Sequence, residues 1–377
     1  MIRTTNVKKG FIDTENVRYV TEETYKKWTR RLVPRRNDVI LTREAPLGDA
    51  GKIRSDDSIF LGQRLYHFRP DPKKLDADFL LYSLLDADLQ GQIHGFGSGS
   101  TVEHMRLEDI PELEINLPPL QLQRQIGGIL SAYDELIENS RRRIKILEEM
   151  ARSLYREWFV HFRFPGHEKR PRVASPLGDI PEGWVVRKLA DVAEVNRAQI
   201  STRNAPDELH YIDISSVSPG QVDTITTYAF IEAPGRARRI VQHGDVLWSC
   251  VRPNRRSHAQ VMRPGSNTIA STGFAVLTAT KVPFTFLYFV TTTDDFVAYL
   301  TNNATGAAYP AVTATTFEKA DLLIPSVPLL KKFGEATIPM AEQIHTLQRQ
   351  IQNLRRTRDL LLPRLLSGQV PLQSVAA

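Results

Sequence analysis

Six of the eleven residues at 26–36 are basic: Lys26, Lys27, Arg30, Arg31, Arg35 and Arg36. A second set comprises Arg236, Arg238, Arg239, Arg252, Arg255, Arg256 and Arg263, with Asn254, Ser257 and His258 among them. Such clusters have the electrostatic footprint of phosphate binding, because each guanidinium or ammonium group displaces a counterion from a nucleic-acid backbone. Arginine and asparagine are also side chains that pair bidentately with the edges of guanine and adenine. Most charge runs are solvated faces, so either cluster taken singly leaves that reading open.

Residue patterns that would carry catalysis are missing. Gly97-Ser98-Gly99-Ser100-Thr101 has the glycines of a phosphate loop, but no Gly-Lys-Ser/Thr follows it and no strand-loop-helix order surrounds it. There is no Asn-Pro-Pro-aromatic or Asp-Pro-Pro-Tyr run of the kind a methyltransferase uses. The nine histidines form no HExxH or His-x-His spacing for a metal, and His161 and His167 read as surface residues. No serine, cysteine or carboxylate pair stands out as a triad or acid/base couple. The sequence points to binding without catalysis.

Two long helices must position these clusters. From 117 to 164, Leu130, Ile137, Ile144, Ala151 and Trp158 fall on one heptad line, with Tyr133, Ser140, Leu147 and Leu154 on the line three residues later. This is the seam of a coiled coil. Pro118-Pro119 blocks helix at one end and Pro165-Gly166 at the other. About 40 residues at ~1.5 Å each make a rod of roughly 60 Å. Near the C-terminus, Met340, Ile344, Leu347, Ile351, Leu354, Leu361 and Leu365 repeat the pattern after Pro328, with Arg358 the single polar interruption. Two matched rods in one polypeptide can pair with each other, although periodicity alone also fits two core helices of a bundle.

The chain is an internal duplication. Residues 1–10 reappear in pattern at 211–220, Asp38-Val39-Ile40-Leu41 at Asp245-Val246-Leu247-Trp248, and Leu107-Glu108 at Phe317-Glu318; Leu-Pro-Pro-Leu at 117–120 matches Ser326-Val327-Pro328-Leu329. The offset stays at roughly 207 to 210, so the unit is a whole domain followed by a long helix rather than a solenoid repeat of ~20–50 residues. Short apolar strands are expected at 39–42, 64–68, 246–251 and 273–277, and one-sided helices at 78–89 and 284–300. Flexible loops are expected at 95–101 and 302–308, each leading into a strand that ends at the proline step. The fold class is α+β. The expected boundaries are 1–117 and 166–326 for the modules, 118–165 and 327–367 for the helices, and 368–377 for a tail. The second copy opens with a segment of about 35 residues, from Pro176 to His210, that has no counterpart before Met1. Either the true start lies upstream of Met1, or the first module is truncated, or the tail from Gly368 to Ala377 partly substitutes for the segment.

At 377 residues, with 41% hydrophobic and 24% charged, the composition suits a soluble globular protein of two or three domains. The net charge of +6 is modest and its clustering matters more. One cysteine, Cys250, precludes an internal disulfide and fits a reducing cytoplasm; its apolar neighbours make it structural rather than nucleophilic. No run is long and apolar enough for a membrane span and no leader pattern is present.

Several stretches resemble the specificity subunits of type I restriction-modification systems. They are Leu177-Gly178-Asp179-Ile180-Pro181-Glu182-Gly183-Trp184 followed by Lys188-Leu189-Ala190-Asp191-Val192, the Asp38-Val39-Ile40-Leu41 strand before Gly48 and Gly51, Arg156-Glu157-Trp158-Phe159-Val160, and Leu361-Leu362-Pro363-Arg364-Leu365-Leu366-Ser367-Gly368. The resemblance covers nearly the whole chain. It implies a non-catalytic subunit whose two target-recognition domains each read half of an interrupted double-stranded DNA sequence. It also implies an antiparallel coiled coil that sets the half-site spacing and docks two modification subunits. Deleting one heptad is then expected to shorten the gap by roughly 10 Å, close to three base pairs. The chain itself is expected to bind no cofactor. S-adenosylmethionine, ATP and magnesium belong to partner subunits, the last two to a restriction and translocation subunit where one is present.

Under that reading Arg43, Gln63 and Arg64 in the first module, and Arg252, Asn254 and Arg255 in the second, are the candidates for base edges. Arg30, Arg31, Arg35, Arg36, Arg238 and Arg239, with Arg256 of the same basic cluster and Ser98, Gly99, Ser100 and Thr101 of the glycine loop, are the candidates for the phosphate backbone. Two other classes remain open at this point: a coiled-coil scaffold whose basic patches meet acidic proteins, and a DNA endonuclease with an unrecognised site.

Overall fold

The computed structural model describes residues 1–97 and 103–372. The chain divides into two compact units, Met1–Arg142 with Gln348–Ala377, and Arg143–Leu347. Each unit contains one α+β module and adjoining stretches of two long helices. Among the described residues no helix is long and apolar enough to cross a membrane.

The first unit is built on a three-stranded antiparallel sheet with Val39–Arg43 between Leu47–Lys52 and Leu65–Phe68. The central strand is buried on both faces, which is why it reads as an unbroken apolar run. A hairpin of Val7–Lys8 with Phe11–Ile12 lies ahead of it, turned by Gly10 at φ +95°. Helix α1 (Glu22–Trp28) is capped by Thr21 and carries acidic residues in its first turn and Lys26 and Lys27 in its last, each sign at the favourable dipole end. Helices α2 (Ala77–Leu85) and α3 (Ala87–Gly95) stand where a single helix was expected. Asp86 ends the first and caps the second by accepting from the Asp88 N–H.

Helix α4 (Leu120–Tyr155) runs for 36 residues and passes into a π-helical turn at Arg156–Val160. In its first-unit stretch Ile126 and Leu130 share a core with Leu80, Leu84 and Met105 of the module and with Leu365 of the C-terminal helix. The expected strand before α4 does not form. Residues 113–117 are irregular, and the Gln92 amide takes the place of a strand: its Nε2 donates to the Glu114 carbonyl at 3.0 Å and its Oε1 accepts from the Glu114 N–H at 2.8 Å.

The second unit has the strand that the first lacks, because Asp321–Ile324 pairs with Val185–Lys188 in the extra N-terminal segment. Its central sheet runs in the order His258–Gln260, Val246–Ser249, Phe274–Ala279, Ala193–Val195, all antiparallel. A second four-stranded sheet, Thr226–Ala229, Glu208–Ile212, Thr268–Ser271, Ala237–Ile240, has one parallel pair at its centre. In the first module that parallel pair shrinks to the single bridge Ile2 to Leu61. Helices α5 (Phe284–Thr291) and α6 (Asp294–Asn302) again replace one expected helix, with Thr293 capping the second. Helix α7 (Ala314–Glu318) precedes the last strand, and α8 (Val327–Leu366) runs for 40 residues. Tyr155, Phe159 and Trp158 of the first rod pack on Phe333 of the second at centroid distances of 6.2, 4.9 and 6.1 Å.

Within the first unit the beginning of α4 therefore meets the end of α8, and within the second unit the end of α4 meets the beginning of α8. The two helices pair as an antiparallel coiled coil. Of the heptad lines, Leu130, Ile137, Ser140 and Ala151 on α4 and Leu347, Ile351 and Leu365 on α8 are buried.

Each long helix seats a glycine on the helix that opens its module's helical pair. A Cβ on Gly127 would come within 2.8 Å of Asp76 Oδ1 and 3.0 Å of the Phe79 backbone nitrogen, and one on Gly334 within 3.1 Å of Pro283 Cγ. These two glycines are 207 residues apart, the same offset as the strands.

Candidate nucleic-acid interface

The duplication is closest in the backbone. The Gly10 N–H donates to Ala50 and that of Gly220 to His258; the Asp13 N–H donates to Asn6 and that of Asp223 to Ser216. Asn37 and Gly244, both at positive φ, donate to Ile53 and Val261. At the far end of the central strand the Arg43 N–H donates to Arg64 and its carbonyl accepts from Met105, while the Cys250 N–H donates to Gly273 and its carbonyl accepts from Val312. Ala45 and Arg252 then share a left-handed conformation, φ +49° and +51°, each before a proline. Arg43 is thus the counterpart of Cys250, Arg64 of Gly273, and Arg252 of Ala45. One backbone frame carries different residues at this end, Ala45 and Arg64 exposed and Arg43, Cys250, Arg252 and Gly273 half-buried.

Beneath the frame sits a buried aspartate in each copy. Asp38, 1% exposed, accepts from the Arg69 guanidinium, the His67 ring at 2.6 Å and the Arg35 N–H at 2.9 Å. Burial pushes this carboxyl up, but those partners outweigh it and hold it below the usual carboxylate range. Asp245, 2% exposed, accepts from the Gln242 N–H at 2.8 Å and the Thr278 hydroxyl at 2.7 Å, and burial raises it against these bonds and the weaker pull of Arg197 and His243.

In the second module the structure brings Arg252, Asn254 and Arg255 onto one short turn. Pro253–Arg255 is a single 3-10 turn flanked by Arg252 and Arg256 at φ +51° and +56°, a conformation costly for residues with a Cβ. Asn254 and Arg255 are exposed. Arg252 lies over the Tyr309 ring, 4.5 Å from its centre, and its Nη2 donates to the Ala308 carbonyl at 3.3 Å. Arg256 is tied to Asp294 at the start of α6. Arg238 and Arg239 sit on the Ala237–Ile240 strand, half-buried; Arg238 covers the Phe230 ring at 5.3 Å, and the Nε of Arg239 is buried with no hydrogen-bond partner among the described residues. His258 is removed from any cationic role, because burial, then Arg256 and Arg152, push it down to about 4, and its ring packs tilted against Trp248 with centroids 4.8 Å apart.

In the first module Gln63 and Arg64 are exposed, and Arg64 pairs with Glu44 at 3.1 Å. Arg43 is half-buried over the Tyr66 ring. Arg30, Arg31, Arg35 and Arg36 are all exposed, Arg36 facing Asp56 at 3.9 Å. Arg35, Arg36 and Arg69, with Arg124 of α4, line one polar hollow beside the N-terminus of α2. Ser98, Gly99, Ser100 and Thr101 lie outside the described residues.

Sequence reasoning overlooked Tyr309, which is 68% exposed on the loop facing the Arg252 turn. The one available signal was an aromatic residue closing a stretch of glycine, alanine and asparagine just before Pro310.

Comparison with known proteins agrees with this duplicated layout. The family described as "Type I restriction modification DNA specificity domain" matches twice, at residues 3–149 and 181–338. The MjaIX specificity subunit of a type I restriction enzyme from Methanocaldococcus jannaschii is 23% identical over 367 residues, covering 95% of this chain and 83% of the relative. The MjaVIII specificity subunit from the same organism is 20% identical over 377 residues, covering 97% and 87%. The crystal structure of the type I restriction-modification S subunit from M. genitalium superimposes with a TM-score of 0.56 at 17% identity, over 89% of this chain and 84% of that one, a likeness of fold. The chain belongs to the type I restriction-modification DNA specificity family.

Proposed function

We propose that this chain is the sequence-specific DNA-binding subunit of a type I restriction-modification complex, that each module reads one half of a bipartite double-stranded target, and that it has no catalysis of its own. The observation that carries the reading is the pairing of a shared backbone frame with different residues at its far end, half-buried or exposed: Arg43, Arg64 and Ala45 in one copy, Cys250, Gly273 and Arg252 in the other. Two modules that hold different side chains on the same frame are suited to two different half-sites.

Base readout is assigned to Arg252, Asn254 and Arg255 in the second module and to Arg43, Gln63 and Arg64 in the first. Tyr309 is added as a ring that fixes the Arg252 fork and offers an apolar face to a thymine methyl. Arg30, Arg31, Arg35, Arg36, Arg238 and Arg239 are assigned to phosphates. Adenine methylation, on a base flipped from the duplex, falls to two partner modification subunits with their S-adenosylmethionine, and ATP-driven cleavage to a further subunit.

The test is selection from random duplex DNA by the purified chain at two salt concentrations. Enrichment of two unlike half-sites at a fixed spacing, with total affinity falling steeply as salt rises, is the expected result. Binding to acidic proteins with no enriched DNA sequence would return the scaffold reading, and metal-dependent cleavage by the purified chain would return the nuclease reading.

A further inference from the structure

Arg358 breaks the apolar repeat of α8, and its side chain is 14% exposed. It is fully engaged: Nη1 donates to Asp134 Oδ1 on α4, while Nε and Nη2 donate to Asp359 Oδ1 at 3.0 and 2.7 Å. Asp134, 11% exposed, is held from the module as well. Its Oδ2 accepts from Tyr82 of α2 at 2.7 Å and faces Arg54 Nη2 at 3.5 Å, and the Gly10 turn comes so close that a Cβ there would lie 3.3 Å from it. One carboxylate thus joins the module, the helix that follows it and the opposing helix, all inside the first unit.

The second unit repeats the bond from the module to its own long helix. Glu342 of α8 receives Arg263 at 2.6 Å and His243 at 3.5 Å from the module's strand-connecting loops. The bond from a module to its own long helix is duplicated, and Arg358 adds a bond across the helix pair.

A buried ion pair contributes little net stability, because desolvation offsets the Coulomb attraction, but removing one partner costs roughly 3–5 kcal/mol. A polar residue in an apolar seam therefore selects alignment rather than affinity. Sliding the antiparallel helices by one heptad would place Asp134 opposite Ile351 or Leu365, and Arg358 opposite Gly127 or Arg141. An apolar seam has no comparable penalty for that slip. We infer that the Asp134–Arg358 pair fixes the axial alignment of the two long helices and thereby the spacer of the bipartite target; the second clause rests on the function proposed above, the first does not.

Two readouts separate the clauses. Ala132→Cys and Thr357→Cys place spin labels on exposed positions of the two helices, both in the first unit, in a Cys250→Ser background of the full chain. Double electron-electron resonance is expected to give one narrow distance for the parent and for Arg358→Lys. For Arg358→Met, which leaves Asp134 held by Tyr82 and Arg54, a second distance population is expected, shifted by the projection of an axial slip of about one heptad rise, ~10 Å, on the line between the labels. Arg358→Gln serves the same purpose should Arg358→Met not fold. A single unchanged distance in the uncharged variants overturns the alignment role. In the methylome of cells co-expressing a modification subunit, Arg358→Met is expected to add the same two half-sites at a second spacer. If the label distance splits and the spacer does not, the link to target spacing is overturned. If the parent yields no bipartite motif, the proposed function fails while the resonance result stands.

Discussion

The Arg252 guanidinium lies over the Tyr309 ring, 4.5 Å from its centre, across the gap between the strand-end turn and the loop that follows α6. The contact holds a left-handed arginine in place and leaves Asn254 and Arg255 exposed beside it. Asn254→Ala is expected to lose discrimination at one base of one half-site, ~1–3 kcal/mol or roughly 5- to 150-fold, with other positions unchanged. Tyr309→Ala is expected to weaken the same half-site only. Quantitative binding to a library of single-base variants measures both; equal losses across all variants would remove this turn from base readout.

Arg35 is exposed and Arg64 is already paired with Glu44. Arg35→Ala is expected to weaken every DNA sequence evenly and to reduce the slope of log affinity against log salt by about one. Arg64→Ala is expected to change the slope less and to act on one half-site. Titrations at four salt concentrations distinguish them, and a sequence-dependent loss for Arg35→Ala would contradict its assignment to phosphate.

Asp38 and Asp245 occupy equivalent places with opposite shifts. A carboxyl held below its unfolded value contributes stability that is present above that unfolded value and is lost as pH falls through the folded one. Asp38→Asn, which leaves Arg69 and His67 without their partner, is expected to cost about 2–4 kcal/mol at neutral pH and to reduce the loss of stability on acidification. Asp245 is raised, so its contribution is present at acidic pH and fades as pH rises through its folded value. Asp245→Asn is therefore expected to cost little or nothing at neutral pH. Urea unfolding between pH 3 and 8 checks the contrast; a larger neutral-pH cost for Asp245→Asn would contradict it.

Gly127 and Gly128 are neighbours on α4 with different surroundings. A Cβ on Gly127 meets Asp76 and the Phe79 backbone, whereas one on Gly128 meets nothing within 4 Å. Alanine gains up to ~1 kcal/mol of helix propensity over glycine, so Gly128→Ala is expected to stabilise by about that amount. Gly127→Ala is expected to destabilise by ~1–3 kcal/mol through overpacking. Opposite signs in thermal melts support the close seating of α4 on α2; equal gains would refute it.

Features encoded locally were legible in the sequence. The heptad lines, with Arg358 as their interruption, set out both long helices, and the repeated Asp-Val step set out the central strands and the offset of the duplication. Breaks within the helical pairs were also readable, because Asp86 before Ala-Asp and Thr293 before Asp-Asp are capping signals, but one-sided apolar spacing runs through them. What was not legible depends on distant pairing. The strand at 113–117 fails for want of a partner rather than for its own composition, and nothing local forecasts Gln92 standing in for one. The site was half legible for the same reason: arginine and asparagine announce binding chemistry, whereas the left-handed turn that presents Asn254, the ring under Arg252 and the ion pairs that occupy Arg64 and Arg256 are products of the fold.

The most direct test of the central claim is a methylome. The chain is co-expressed with a cognate modification subunit in a host free of DNA methylation, and modified adenines are mapped by single-molecule sequencing. Two unlike half-sites separated by one fixed spacer are predicted. A single half-site, alone or as an inverted pair, would contradict the claim that both modules read DNA.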